Sequence, residues 1–181
     1  MIEISFQELE EKFSSLQLMK LNKSLSSAKK MQSENEFYKT FKLPELFIEK
    51  NKNELRWNFV FKFQKISEEL IEKYRPFITD WYTIIVHQTL SENFLKKHID
   101  KFDCHFIAKY QTLSNKFIDE YFGESTWAWK ELSEFQCLSV ELILKHADKI
   151  NIDCLQNNKL INQEELKQKE IYTMIKLLQS K

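Results

Sequence analysis

The chain has 181 residues, with 27 Lys plus Arg against 27 Asp plus Glu and 43 % apolar residues. That length fits one domain or one small array, the apolar share excludes a wholly disordered chain, and the charge balance argues against a dedicated nucleic-acid binder, which usually carries a basic excess. One Gly (Gly123) and two Pro (Pro44, Pro76) leave out the turn chemistry on which hairpin-rich sheets depend, so the expected fold is all-α: an array of short stacked helix pairs with an N-terminal helix and a C-terminal capping helix.

In chain order, Ser5 and Glu8 form a capping box, and Phe6, Leu9, Phe13 and Leu16 share one helical face. A helix is expected over about 5–21. Residues 22–36 are polar and read as a loop plus one short helix. Between Lys20 and Lys42 there are six lysines (Lys20, Lys23, Lys29, Lys30, Lys39, Lys42) against Glu34 and Glu36, a net of +4. Residues 1–19 carry Glu3, Glu8, Glu10 and Glu11 against Lys12, a net of −3. With Phe37, Tyr38 and Phe41 nearby, the lysines suit a phosphate backbone; the preferred reading is a solvated, flexible connector within an N-terminal segment 1–42.

From Leu43 a short block recurs about every 23 or 24 residues. An aliphatic residue is usually followed by Ser, and three positions later an apolar pair appears: Leu43-Pro44-Glu45-Leu46-Phe47-Ile48, Ile66-Ser67 with Leu70-Ile71, Leu90-Ser91 with Phe94-Leu95, Leu113-Ser114 with Phe117-Ile118, and Leu138-Ser139 with Leu142-Ile143. Each Ser, or Pro44, begins a helix, the apolar pair faces inward, and a third inner slot holds Asn51, Tyr74, His98, Tyr121 or His146. Second helices are expected near 55–63, 80–88, 104–111, 127–135 and 151–157. Helices this short do not survive alone, so a repeat array over 43–158 has to stabilise itself by stacking. A final helix over about 163–179, begun by Asn162 with Glu165, closes it with Ile171, Met174, Ile175 and Leu178; Leu160-Ile161-Asn162-Gln163 matches a sixth copy weakly.

The copies from Ile66, Leu90 and Leu113, each followed by an aromatic stretch and then by Gln88, Gln111 or Gln136, resemble a Leu-Ser-Glu-x-Phe-Ile repeat found in uncharacterised proteins of phages, giant viruses and some bacteria. Arg75-Pro76 and Phe122-Gly123 depart from its turns. The resemblance implies helical repeats and carries no catalytic residues. A phage-borne chain of this kind fits an inhibitor of a host defence system, concretely an anti-CRISPR protein acting on an RNA-guided effector or its guide RNA.

The chemistry-bearing residues have plainer roles. A slot that accepts Tyr or His is a packing position with a polar tip. Cys104 and His105 are adjacent, not three or four apart as a helical ligand pair requires. Cys154 aligns with apolar Phe106 and reads as a small buried hydrophobe. Glu10-Glu11, Glu68-Glu69 and Glu164-Glu165 fall in early helical turns, where the dipole favours them. The expectation is therefore a binding protein that is not an enzyme, with no catalytic residue, metal, cofactor or small-molecule substrate. Its partner is a protein, a CRISPR effector in the concrete version; the alternative is an RNA-binding module using Lys20–Lys42. Of the four tryptophans, Trp57, Trp81, Trp127 and Trp129, most should be partly buried between units. Trp127 and Trp129 cannot share a helical face, and Trp129 is put forward with the lysines as a binding residue. An odd cysteine count, no basic leader and no long apolar run lead to an expected cytoplasmic location, the host's if phage-encoded.

Overall fold

Ser67, Ser91, Ser114 and Ser139 each stand in extended conformation before a helix, and each accepts through Oγ the amide of the residue three further on, at 3.1–3.2 Å. This satisfies one of the unpaired donors of a first turn and starts each first helix of a pair where the repeat expects it. The computed structural model describes residues 1–22, 24 and 26–180, and no β-strand occurs among them. The chain divides into two compact units, Met1–Gln88 and Thr89–Lys181.

The first unit holds α1 (Phe6–Leu21), α2 (Ser27–Thr40), α3 (Glu45–Asn51), α4 (Trp57–Phe63), α5 (Glu68–Lys73) and α6 (Trp81–His87). The second holds α7 (Glu92–Lys97), α8 (Cys104–Tyr110), α9 (Asn115–Phe122), α10 (Trp129–Phe135), α11 (Val140–Lys145), α12 (Ile152–Asn157), α13 (Gln163–Gln168) and α14 (Ile171–Gln179). All five apolar pairs are buried, from Phe47-Ile48 to Leu142-Ile143. Each such side chain contributes about 1.5–3 kcal/mol, which is what holds together helices of six or seven residues. Second helices pack in series, α4 on α6 in the first unit and α8 on α10 on α12 in the second.

Two polar rungs recur on this apolar base. The first is a buried amide. Gln136 accepts the Leu113 amide through Oε1 at 3.0 Å and donates through Nε2 to the carbonyls of Ala108 (2.6 Å) and Gln111 (2.7 Å), at the end of α8. Gln88 bonds in the same way to the Ile66 amide and to the carbonyls of Phe61 and Gln64, at the end of α4. Asn158 donates to Ser133 and Gln136 at the end of α10, and Gln163 to Leu155 and Asn158 at the end of α12. The last carbonyls of a short helix have no partner within it; here the following copy supplies one. Gln64 does the same for α2, accepting from Leu43 and donating to Tyr38 and Phe41.

The second rung links three of the inner-slot residues, Asn51, Tyr74 and His146, to a carboxylate on an earlier helix. The Tyr74 hydroxyl donates to Glu49, which also pairs with Lys73 at 2.7 Å. His146 Nε2 lies 2.7 Å from Asp119 Oδ1, and Lys145 pairs with Asp119 at 2.7 Å. Asn51 and Lys50 make the same pair of contacts with Glu10, at 3.0 and 2.7 Å. Residues 1–42 show no copy in the sequence, yet α1 and α2 take part in both rungs as a preceding pair would. Lys73, Tyr74 and Lys52 hold the Glu49 carboxyl down at about 2, from its ordinary 4.5. A depressed carboxyl stabilises the fold fully above its unfolded pKa, and the contribution is lost as pH falls through the folded value. Glu49→Gln should therefore lose less stability than the parent chain between pH 5 and pH 2.5, as read by urea unfolding at each pH; parallel losses would contradict the rung.

Two elements differ from expectation. The polar segment read as a loop with a short helix is a fourteen-residue helix, α2, capped by Ser26. The C-terminal helix is broken: Glu170 takes a left-handed conformation (φ 52°) between α13 and α14, although no Gly or Pro marks the break. Leu166 is buried from α13 and Ile171 and Ile175 from α14, while Met174 and Leu178 are each 43 % exposed. Ile161, the Asn162 cap and Leu166 occupy first-helix positions of a sixth copy, and α14 packs on α11 and α13. Gly123 is explained locally: a Cβ there would fall against the Asp119 carbonyl oxygen.

A candidate binding groove between the first two helices

The six lysines do not form one surface. Lys20 pairs at 2.7 Å with Glu34, a carboxylate only 2 % exposed that also takes Arg56 Nε at 3.2 Å. Lys42 pairs with Glu3 at 2.7 Å, beside the bridge that joins Ile2 to Phe41. Lys23 lies outside the described residues. Lys29 and Lys39 are exposed and Lys30 half-buried along α2. A flexible connector is thus replaced by a helix whose buried acid consumes part of the nearby positive charge. Glu34 holds this helix in place with Tyr38, whose hydroxyl accepts the Arg56 amide at 2.7 Å and whose burial pushes its phenol up to about 12.

Between α1 and α2 runs a groove of about 780 Å³. Its floor is apolar: Leu16 and Met19 from α1, Phe37 from α2 and Phe41 just beyond it. Lys12 and Lys29 stand on its rim with Glu36, whose carboxylate accepts the Thr40 hydroxyl at 3.2 Å. The hydroxyls of Ser15 and Ser33, also in the lining, donate to carbonyls on their own helices. What remains to meet a ligand is an apolar trough edged by two lysine heads, the Glu36 carboxylate and the Gln32 amide. Leu18, Leu21 and Met31, on the same two helices, are 58–77 % exposed. Among the described residues, Lys29 is the one member of the expected set that lines this groove; Lys12, Met19 and Phe41 are outside that set. The signal of Lys12 and Met19 in the sequence is helical spacing alone, and Phe41 follows a helix that is longer than the short one expected.

Trp129 is not available to a partner. It is 2 % exposed at the start of α10, where its Nε1 donates to the carbonyls of Phe122 (3.0 Å) and Ser125 (2.9 Å) and its ring lies 4.8 Å from that of His146. Trp57 has the same place at the start of α4, donating to the Lys52 carbonyl and lying 4.3 Å from the Tyr74 ring. The exposed member of the pair is Trp127, at 68 %. Among the cysteines, Cys154 is half-buried where a buried one was expected, and burial pushes its thiol up; Cys137 is exposed. Burial, with Lys62 and Lys65 nearby, pulls the pKa of His87 down.

Comparison with family models, with curated proteins and with solved structures finds no match for this chain. No helix among the described residues is long and apolar enough to cross a membrane.

Proposed function

We propose that this chain is a non-catalytic binding protein that takes a segment of a protein partner into the groove between α1 and α2. The observation that carries the reading is the combination of an apolar floor (Leu16, Met19, Phe37, Phe41) with two lysines on the rim. An amphipathic segment with acidic flanks matches it: apolar side chains enter the trough and carboxylates meet Lys12 and Lys29. A non-catalytic reading is supported by what four acid–base groups already do: Tyr74 with Glu49 and His146 with Asp119 are engaged in rungs between copies. The narrower version, an inhibitor of a host defence system acting on an RNA-guided CRISPR effector, is supported by the resemblance of the repeat to phage-borne sequences.

The test is a phage-plating assay in cells carrying such an effector, with complex formation measured on purified components. The parent chain and Cys137→Ser should restore plating and bind, while Met19→Asp with Lys29→Glu should lose at least tenfold in affinity with an unchanged helical spectrum. Equal binding by the double variant would remove the groove. Binding that collapses between low and moderate salt, and that requires Lys30 and Lys39 in addition, would point to RNA instead.

A further inference from the structure

Asp103 caps α8 through Oδ1, which accepts the His105 amide at 2.8 Å. Because Asp103 is still extended (φ −72°, ψ 130°), the chain turns into the helix only after it. Three consecutive side chains can then gather on one side, which they cannot do inside a helix. One ligand atom each from Asp103, Cys104 and His105 lie within 4.8 Å of one another. Glu131, on the neighbouring helix α10, places Oε2 3.0 Å from His105 Nδ1. Cys104, His105 and Glu131 are half-buried and Asp103 is exposed, so the cluster is shielded on one side and open to solvent on the other.

The cap explains only the aspartate. In the preceding copy Asp80 performs the same capping, followed by Trp81 and Tyr82. Here the two residues after the cap are a thiol and an imidazole, and a carboxylate faces them from the next helix. Sulfur, nitrogen and oxygen donors in this combination are what a borderline dication such as Zn²⁺ takes in tetrahedral sites, with donors roughly 3.3–3.8 Å apart. From separations of up to 4.8 Å, the three side chains have to close on the ion by about 1 Å or more to reach that spacing.

We propose that Asp103, Cys104 and His105, with Glu131 bonded to the histidine ring, form a binding site for a zinc-type transition-metal dication. Asp103 supplies oxygen, Cys104 sulfur and His105 nitrogen. Glu131 fixes the ring and adds negative charge, the role that carboxylates beside metal-bound histidines commonly have. Burial and the charges of Asp103 and Glu131 push the Cys104 thiol up, so the free protein keeps it protonated. Ligation transfers that proton to solvent and leaves a metal-bound thiolate. The site is independent of the groove in the first unit, and its function is to tie α8 to α10 or to present the metal's open position to a ligand.

Cobalt is the direct probe. The reduced full-length chain is titrated with CoCl₂ and followed by absorption. A near-ultraviolet thiolate-to-cobalt band and visible bands of tetrahedral cobalt should grow to one equivalent per chain and disappear on adding ZnCl₂. Cys104→Ser should abolish the near-ultraviolet band, and Glu131→Gln should weaken binding about tenfold. Cys137→Ser and Cys154→Ser should leave the titration unchanged, and circular dichroism of each variant establishes that it is folded. Absence of a charge-transfer band at a tenfold excess of cobalt, or its persistence in folded Cys104→Ser, overturns the proposal. Because the readout is optical, it stands or falls separately from the groove.

Discussion

Replacing Gln136 with Ala is expected to destabilise the second unit by about 3–5 kcal/mol, because it leaves three buried backbone groups without partners at about 1–3 kcal/mol each before relaxation. Those groups are the Leu113 amide and the carbonyls of Ala108 and Gln111. Gln136 is 3 % exposed, so water cannot readily replace the lost amide. A loss of that size is a large part of the 5–15 kcal/mol that a domain usually has. The structure contains its own control. Gln179 donates to two carbonyls, Ala147 and Ile150, at 2.9 and 3.0 Å, but from an exposed position. Gln179→Ala should therefore cost about 1 kcal/mol or less, since water can take over. Chemical denaturation of both variants separates the two cases; similar small losses would mean that the buried amide is not what holds successive second helices together.

That prediction marks where the sequence stops being legible. The serine caps and apolar pairs were readable because their physics acts within one or two turns, and the second helices begin and end within two residues of expectation. Gln88, Gln111 and Gln136 were visible as a recurring letter, but their work was not. The partners of Gln136 lie 23, 25 and 28 residues away, beyond the reach of any local pattern. The carboxylate rungs were hidden for the same reason. Asn, Tyr and His in one slot look like tolerance until Glu10, Glu49 and Asp119 are found facing them.

The sequence reads α2 as a loop with one short helix, shorter than it is, because a core position holds Glu34, which breaks the apolar periodicity. Burial of that charge is supportable only because Lys20 and Arg56 converge on it. The groove was hidden with it, since six of its eleven lining residues lie on α2. The metal-type cluster was passed over on a helical spacing rule that does not apply at a cap, where one residue is still extended. For α2 a partner from a distant part of the chain changed the outcome; for the cluster it was the extended backbone of one residue.

The two tryptophans that frame Ala128 should respond in opposite ways. Trp129→Ala removes a side chain 2 % exposed that packs against His146 and donates twice; large aromatic deletions of this kind cost about 3–5 kcal/mol. Trp129→Phe keeps most of the ring volume but takes the indole donor from the Ser125 carbonyl, while the Phe122 carbonyl keeps the Ser125 amide; this should cost about 1–3 kcal/mol. Trp127→Ala, at a position 68 % exposed, should stay within about 0.5 kcal/mol of the parent. Thermal and urea unfolding of the three variants give the order directly. The same order also separates folding from binding: a Trp127→Ala chain that is as stable as the parent but binds a partner more weakly would place part of the interface on the second unit, whereas Trp129 variants can affect binding only through the fold they weaken. If Trp129→Ala proved as mild as Trp127→Ala, the ring would not be held between the end of α9 and the following first helix, and the repeated packing of Trp57 on Tyr74 and Trp129 on His146 would lose its role as a joint between copies.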